Sequence, residues 1–106
     1  MTNDLTNLSV FDMQAGLRSG EFTCLELMEA HLQRIHTLEP RLNVLITLAE
    51  DEARIRAKQS DEQLRQARAT DQTAQLPSLL GIPILVKDLI TVKDMICTCG
   101  SNVLGD

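Results

Sequence analysis

The order Phe22-Thr23-Cys24-Leu25-Glu26-Leu27 writes the start of a helix into the chain. In a Thr-x-x-Glu capping box the threonine hydroxyl covers one orphan N–H of the first turn, and the glutamate reaches back to cover another. Phe22, just before the cap, is placed to staple onto Leu27. Leu25, Met28, Leu32 and Ile35 then step by three and four along one face, Leu38 extends the row, and Pro40 ends it through the restriction it places on Glu39. The spacing predicts a helix over 23–38 carrying one apolar stripe. Such a stripe needs a second layer to cover it. That layer must be aliphatic, because the 106 residues include two Phe and neither Tyr nor Trp. The length is enough for one small domain, which buries a smaller share of its surface than a larger one.

Two further helices supply the layer. Ser9 can cap a short one over about 9–18, with Asp12 three residues on, Gly20 at its stop, and Val10, Met13 and Leu17 as its inner stripe. From Glu50 the pattern is helical again to about 69. Ala49, Ala53, Ala57, Ser60, Leu64 and Ala67 form a face of mostly small residues, and Glu50–Arg54, Glu52–Arg56 and Asp61–Arg65 stand in the favourable acid-first order. Acids gather at its start and Arg65 and Arg68 at its end, matching the helix dipole. Between the second and third helices Asn43–Leu48 reads as a brief strand or extended connector, with a helical lead-in also open. Residues 70–78 read as a loop.

Fifteen acids against ten bases leave a net charge of −5, which argues against a nucleic-acid footprint in this segment. No apolar run is long enough for a membrane span, and the first residues lack the basic start of a signal peptide. Three cysteines without framework spacing fit reduced thiols in the cytoplasm. Cys97 and Cys99 alone do not make a zinc site, and Cys24 is remote from them in sequence. His31 and His36 are five apart, the wrong spacing for a helical metal pair, and read as surface histidines.

The remaining stretch is Leu79–Ser101, reading LLGIPILVKDLITVKDMICTCGS. After Pro83 its apolar run predicts a buried strand at about 84–86, with a second extended piece at Leu89–Val92. The run leads directly into Lys87. Val86 is then either the last buried residue before an ordinary exposed lysine, or the last support of an amine held in an apolar setting. Desolvation disfavours the ammonium form, so a lysine so placed can serve as a base.

The residue order around Lys87 resembles the amidase signature family at its catalytic lysine. GIPILVKD, followed by I-T-x-K-x-M-x-x-T-C-G-S, is similar to the family form G-[IV]-P-x-x-[IV]-K-D-N-I with its downstream turn and Thr-Cys-Gly-Ser segment. Upstream, Glu39, Pro40, Leu42 and Asn43 match the family's E-P-x-L-N, and Ile46–Leu48 its I-T-L piece. The likeness runs from about Ser9 to Leu104. Within the family it is nearest to the branch that hydrolyses glutamine to supply ammonia to a tRNA-dependent amidotransferase.

The resemblance implies an α/β fold, with residues 1–106 as the N-terminal portion of an amidase domain: about three helices plus the first short strands of a mixed sheet. It implies a Ser–cis-Ser–Lys triad in which Lys87 is the lysine. No cofactor is expected on this chain, with ATP and Mg on a partner subunit if the amidotransferase branch is the right one. The expected partners are the remaining amidase domain and amidotransferase subunits B and C. The family's two catalytic serines belong to a downstream glycine- and serine-rich signature. Ser78 and Ser101 do not occupy those positions, so the chain is expected to be truncated and inactive alone. Leu89 stands where the family has Asn, and Asp94 where it has Gly. The alternatives are a fragment of a generic amide hydrolase and a small non-catalytic interaction module.

Overall fold

The computed structural model describes residues 4–86. A 3₁₀ turn at Leu5–Asn7 precedes helix α1 (Val10–Ser19), helix α2 (Cys24–Leu42) and helix α3 (Glu50–Ala69), and a second 3₁₀ turn follows at Thr73–Gln75. Each helix end has an identifiable cause. The Asp12 amide donates to Ser9 Oγ at 3.1 Å to open α1. Gly20, with φ of +84°, closes it, and its N–H donates to the Gly16 carbonyl at 3.1 Å. The Arg68 guanidinium also donates to the Leu17 carbonyl at 2.9 Å, bringing a cation from α3 to the negative end of α1. At α2 the Glu26 amide donates to Thr23 Oγ1 at 3.0 Å. The Asp61 carboxylate of α3 accepts from the Cys24 and Leu25 amides at 2.6 and 3.1 Å. The first turn of α2 is thus capped from its own sequence and from another helix.

The Asp61 contact replaces the expected Asp61–Arg65 pair. Arg65 binds Glu62 instead, at 2.5 Å, because Asp61 is engaged at the positive end of α2. The other two acid-first pairs stand at 3.7 Å for Glu50–Arg54 and 2.9 Å for Glu52–Arg56. Arg54 also reaches across to Glu29 on α2, and the His36 imidazole meets Glu50. These exposed pairs orient α2 and α3 and contribute little stability individually.

The core lies where the three helices meet. Met13 and Leu17 of α1, Phe22, Cys24 and Leu27 of the α2 entry, and Ala57 and Leu64 of α3 form one buried cluster; Leu32 and Ala67 are buried as well. Phe22 lies over Gly16 so closely that a Cβ there would stand 2.2 Å from a ring carbon, which makes glycine a packing requirement. Two expectations about faces are corrected. Val10 is 52% exposed rather than part of the α1 stripe. The buried line of α2 is Cys24, Leu27 and Leu32, with Leu25, Met28, Ile35 and Leu38 only half-buried. The Asp61 cap holds the first turn of α2 against α3, and the side that meets Ala57 and Leu64 is the one bearing Cys24 and Leu27.

Pro40 does not end α2. The helix runs to Leu42 and closes at Asn43, whose φ and ψ of 50° and 49° are left-handed and whose N–H donates to the Glu39 carbonyl at 2.7 Å. Proline forfeits its own N–H bond, which is least disruptive in a last turn, and asparagine is among the few residues that tolerate the left-handed exit. The Glu39 carboxylate then accepts the Leu45 amide at 2.8 Å and fixes the start of the connector. Residues 43–49 have no regular secondary structure, which answers the strand-or-connector alternative.

The α/β expectation is not met among the described residues: they hold helices and no strand. Ile84, Leu85 and Val86, expected as a buried strand, have no regular structure and are 71%, 73% and 41% exposed. A strand needs neighbours to pair with, and the three helices offer none. The second extended piece, Leu89–Val92, lies outside the described residues. No described helix is long and apolar enough to cross a membrane.

Candidate functional site

Lys87 itself lies outside the described residues, as do Leu89, Asp94 and the segment Cys97–Ser101. What the structure shows is the approach to it. After α3 the chain returns along α1. Gln14 donates from Nε2 to the Ser78 carbonyl at 2.7 Å, and Arg18 donates to the Leu76 carbonyl at 3.4 Å. Two short turns come next, closed by the Leu80 amide on the Pro77 carbonyl at 3.2 Å and the Ile82 amide on the Leu79 carbonyl at 3.0 Å. They press Leu80 and Ile82 against the buried cluster.

Gly81 makes this docking possible. Its φ is +82°, and an added Cβ would stand 2.3 Å from Cys24 Sγ and 3.3 Å from a Leu17 methyl. Both the backbone conformation and the space therefore call for glycine. The first two residues of GIPILVKD are anchored on the helical body; from Ile84 the run emerges into solvent. A buried strand delivering an amine is not present at this approach.

The other candidate side chains are placed clearly. Cys24 is 1% exposed, and burial pushes its thiol up to about 12, with the neighbouring Asp61 carboxylate adding to the effect. A thiol held protonated in that way is a packing residue rather than a nucleophile. His31 is half-buried and not the surface residue expected: its Nε2 is enclosed without a hydrogen-bond partner among the described residues, and burial lowers its pKa. His36 is exposed and paired with Glu50. An open groove between the first 3₁₀ turn, α2 and α3 is lined by Leu5, Leu25, Leu32, Gln33, His36 and Arg54. Arg54 is engaged with Glu29, His36 with Glu50, and Glu26 accepts from the Thr23 hydroxyl at 3.2 Å. Asp61, Arg68 and Gly81, which the sequence offers only in local roles, build through tertiary contacts the platform from which the chain runs toward Lys87. The glycine was visible as a glycine, but its need depends on Cys24, fifty-seven positions away.

The comparisons with known proteins concern this same segment and the helices behind it. The Amidase family pattern matches residues 26–106. The A subunit of glutamyl-tRNA(Gln) amidotransferase from Thermoanaerobacter pseudethanolicus is 34% identical over 101 residues, covering 95% of this chain and 19% of the relative. The protein of the same name from Neorickettsia sennetsu is 39% identical over 102 residues, 96% of this chain and 20% of its own. That of Desulfotalea psychrophila is 39% identical over 97 residues, 92% and 19% respectively. No solved structure matches the chain. The chain spans about a fifth of the length of these curated relatives. With the family pattern covering most of the sequence and such relatives aligned almost along its whole extent, the chain belongs to the amidase family.

Proposed function

We propose that the chain forms the N-terminal, lysine-bearing part of a glutamine-hydrolysing amidase unit that supplies ammonia to an amidotransferase acting on glutamyl-tRNA(Gln). The observation that carries this reading is the alignment of 92–96% of the chain with the A subunits of such amidotransferases at 34–39% identity. In the reaction so assigned, neutral Lys87 takes a proton from a bridging serine, which takes one from the nucleophilic serine. The serine oxygen attacks the glutamine side-chain carbonyl and the C–N bond breaks. The leaving nitrogen is protonated and departs as ammonia, leaving a glutamyl ester that water hydrolyses. Both serines are contributed from outside these 106 residues, since neither Ser78 nor Ser101 stands at a family position. Ammonia then passes to partner subunits B and C, where ATP and Mg serve the activation of glutamyl-tRNA. A cytoplasmic location goes with that role.

The test is a chimera in which the 106 residues replace the matching N-terminal fifth of the Neorickettsia sennetsu relative. Ammonia release from glutamine is expected from the chimera and not from the 106 residues alone. Lys87→Ala in the chimera should reduce it by about a hundredfold or more, the range for losing a positioned base. Release from other amides but not from glutamine would instead indicate a general amide hydrolase. A folded chimera inactive on any amide would leave the chain as an interaction module.

A further inference from the structure

Gly81 lies against two residues of the helical body: a Cβ added at 81 would stand 2.3 Å from Cys24 Sγ and 3.3 Å from a Leu17 methyl. Helix α3 holds both of those residues by their backbone. The Asp61 carboxylate accepts from the Cys24 amide at 2.6 Å, and the Arg68 guanidinium donates to the Leu17 carbonyl at 2.9 Å. Asp61 and Arg68 are seven positions apart, about two turns along one face of α3. One helix therefore grips both walls of the space that receives Gly81. Leu17 and Cys24 are each 1% exposed, and walls so enclosed have little room to shift. Together they make a seat of fixed dimensions for the backbone of Gly81.

Beyond the seat, the body offers the chain little further hold. Ile82 is the last described aliphatic side chain that packs on the core, Pro83 has a fixed φ, and Ile84–Val86 are exposed. No backbone hydrogen bond joins 84–86 to another described residue. Lys87 follows Gly81 by six positions. What the helices contribute to placing Lys87 therefore passes through the seat. We propose, resting on the functional reading above, that the seat is a positioning device for Lys87: Leu17 and Cys24 fix the backbone of Gly81, and Arg68 and Asp61 fix Leu17 and Cys24. None of these residues touches the substrate or the reacting atoms. A base must stand within hydrogen-bond reach of the proton it takes, and a misplacement of about 1 Å caused far from the chemistry can cost about a hundredfold in rate. The contact at 81 is made by backbone and not by a flexible side chain, so a displaced wall moves the chain itself.

The test disturbs the seat in the chimera described above. Gly81→Ala should lower kcat for ammonia release by about tenfold or more while KM stays within about twofold, because the base is displaced and the groups that bind glutamine are not. Cys24→Ala removes the sulfur that the new methyl meets. The double variant should therefore regain most of the lost turnover, measured against Cys24→Ala alone. Arg68→Met releases Leu17 without adding bulk at 81; it should lower kcat in the same way, and it serves where Gly81→Ala does not fold. Rates are taken per folded site well below each melting temperature, so that a role in stability alone leaves kcat unmoved. In the 106-residue chain, alkylation of Cys24 read by peptide mass spectrometry reports on the seat itself. It should be slow in the parent and about tenfold or more faster in Gly81→Ala, as local opening of the turn uncovers the sulfur. Rapid alkylation of Cys24 in the folded parent overturns the proposal. So do variants that lower the melting temperature and leave kcat intact, and a loss in Gly81→Ala that Cys24→Ala does not relieve. A folded parent chimera that releases no ammonia removes the functional reading and this proposal with it. Lys87-dependent release that is indifferent to the seat removes this proposal alone.

Discussion

Asp61 shows how much one side chain can organise. It sits in the middle of α3, where its neighbours are charged and its expected partner was Arg65, yet it turns inward to the first turn of α2. Two backbone N–H groups there would otherwise lack acceptors, because Thr23 covers only the Glu26 amide. A carboxylate at that place also answers the positive end of the helix. Asp61→Ala should therefore cost about 1–3 kcal/mol, the range for removing a charge-assisted bond and leaving partly buried donors unmet. Asp61→Asn should cost less, since an amide oxygen still accepts. Urea denaturation measures both; a loss for Asp61→Ala no larger than that of an ordinary exposed substitution, within about 0.5 kcal/mol, would refute the capping role. Nothing in the sequence marks this capping role, because the residues it caps lie thirty-six and thirty-seven positions away.

At the scale of elements, the features legible in the sequence are local and the illegible ones are tertiary. Ser9 and Thr23 accept from the amides three positions on, as their spacing indicates, although Glu26 accepts from the Thr23 hydroxyl and not from the backbone N–H that a full capping box would cover. The buried face of α2 differs from the expected one because a 3.6-residue row of leucines shows that a helix has an apolar side, but not how the helix is rotated against its neighbours. Pro40 misleads for a related reason: the penalty it carries depends on how much helix lies beyond it, and only two more residues do. Lys87 is an expectation from resemblance alone and lies outside the described residues, whereas its apolar approach reads as buried in the sequence and is exposed from Ile84 onward in the structure, because burial is set by tertiary neighbours and not by apolar composition.

The packing of the first 3₁₀ turn on α2 yields a pH dependence. His31 has its Nε2 enclosed, and Asp4 of that turn is the carboxylate that acts on it, itself lowered by its bonds to Thr6 and drawn on by Arg34. Desolvation depresses the histidine, so the unfolded chain takes up a proton at a higher pH than the folded one. By linkage the contribution of His31 is fully present above its ordinary value of 6.5 and is lost as pH falls through the folded value. Stability between pH 7 and 5 should therefore decline less in His31→Gln than in the parent, as followed by urea midpoints at each pH. A parallel decline in the two proteins would show that His31 is not the group responsible.

For the whole molecule, the question is how far the helical body stands by itself. Its buried cluster draws on Met13 through Leu64, and among the described residues its half-buried surround extends to Ile82. Large apolar side chains stand in solvent at Phe11, Val44, Ile46 and Ile55 as well as at 84–86. These two features separate stability from solubility. Stability should come from the core, and association from the exposed run. Deleting residues 83–106 should leave the helical circular dichroism per residue of the body and its melting temperature close to those of the parent, within about 4 °C, a shift corresponding to roughly 1 kcal/mol for a domain of this size. The same deletion should reduce concentration-dependent association in sedimentation experiments, because it removes Ile84–Val86. Collapse of the helical signal on deletion would mean that the three helices depend on the C-terminal residues. The body would then be no independent platform, and the Lys87 segment would be part of what holds the helices together.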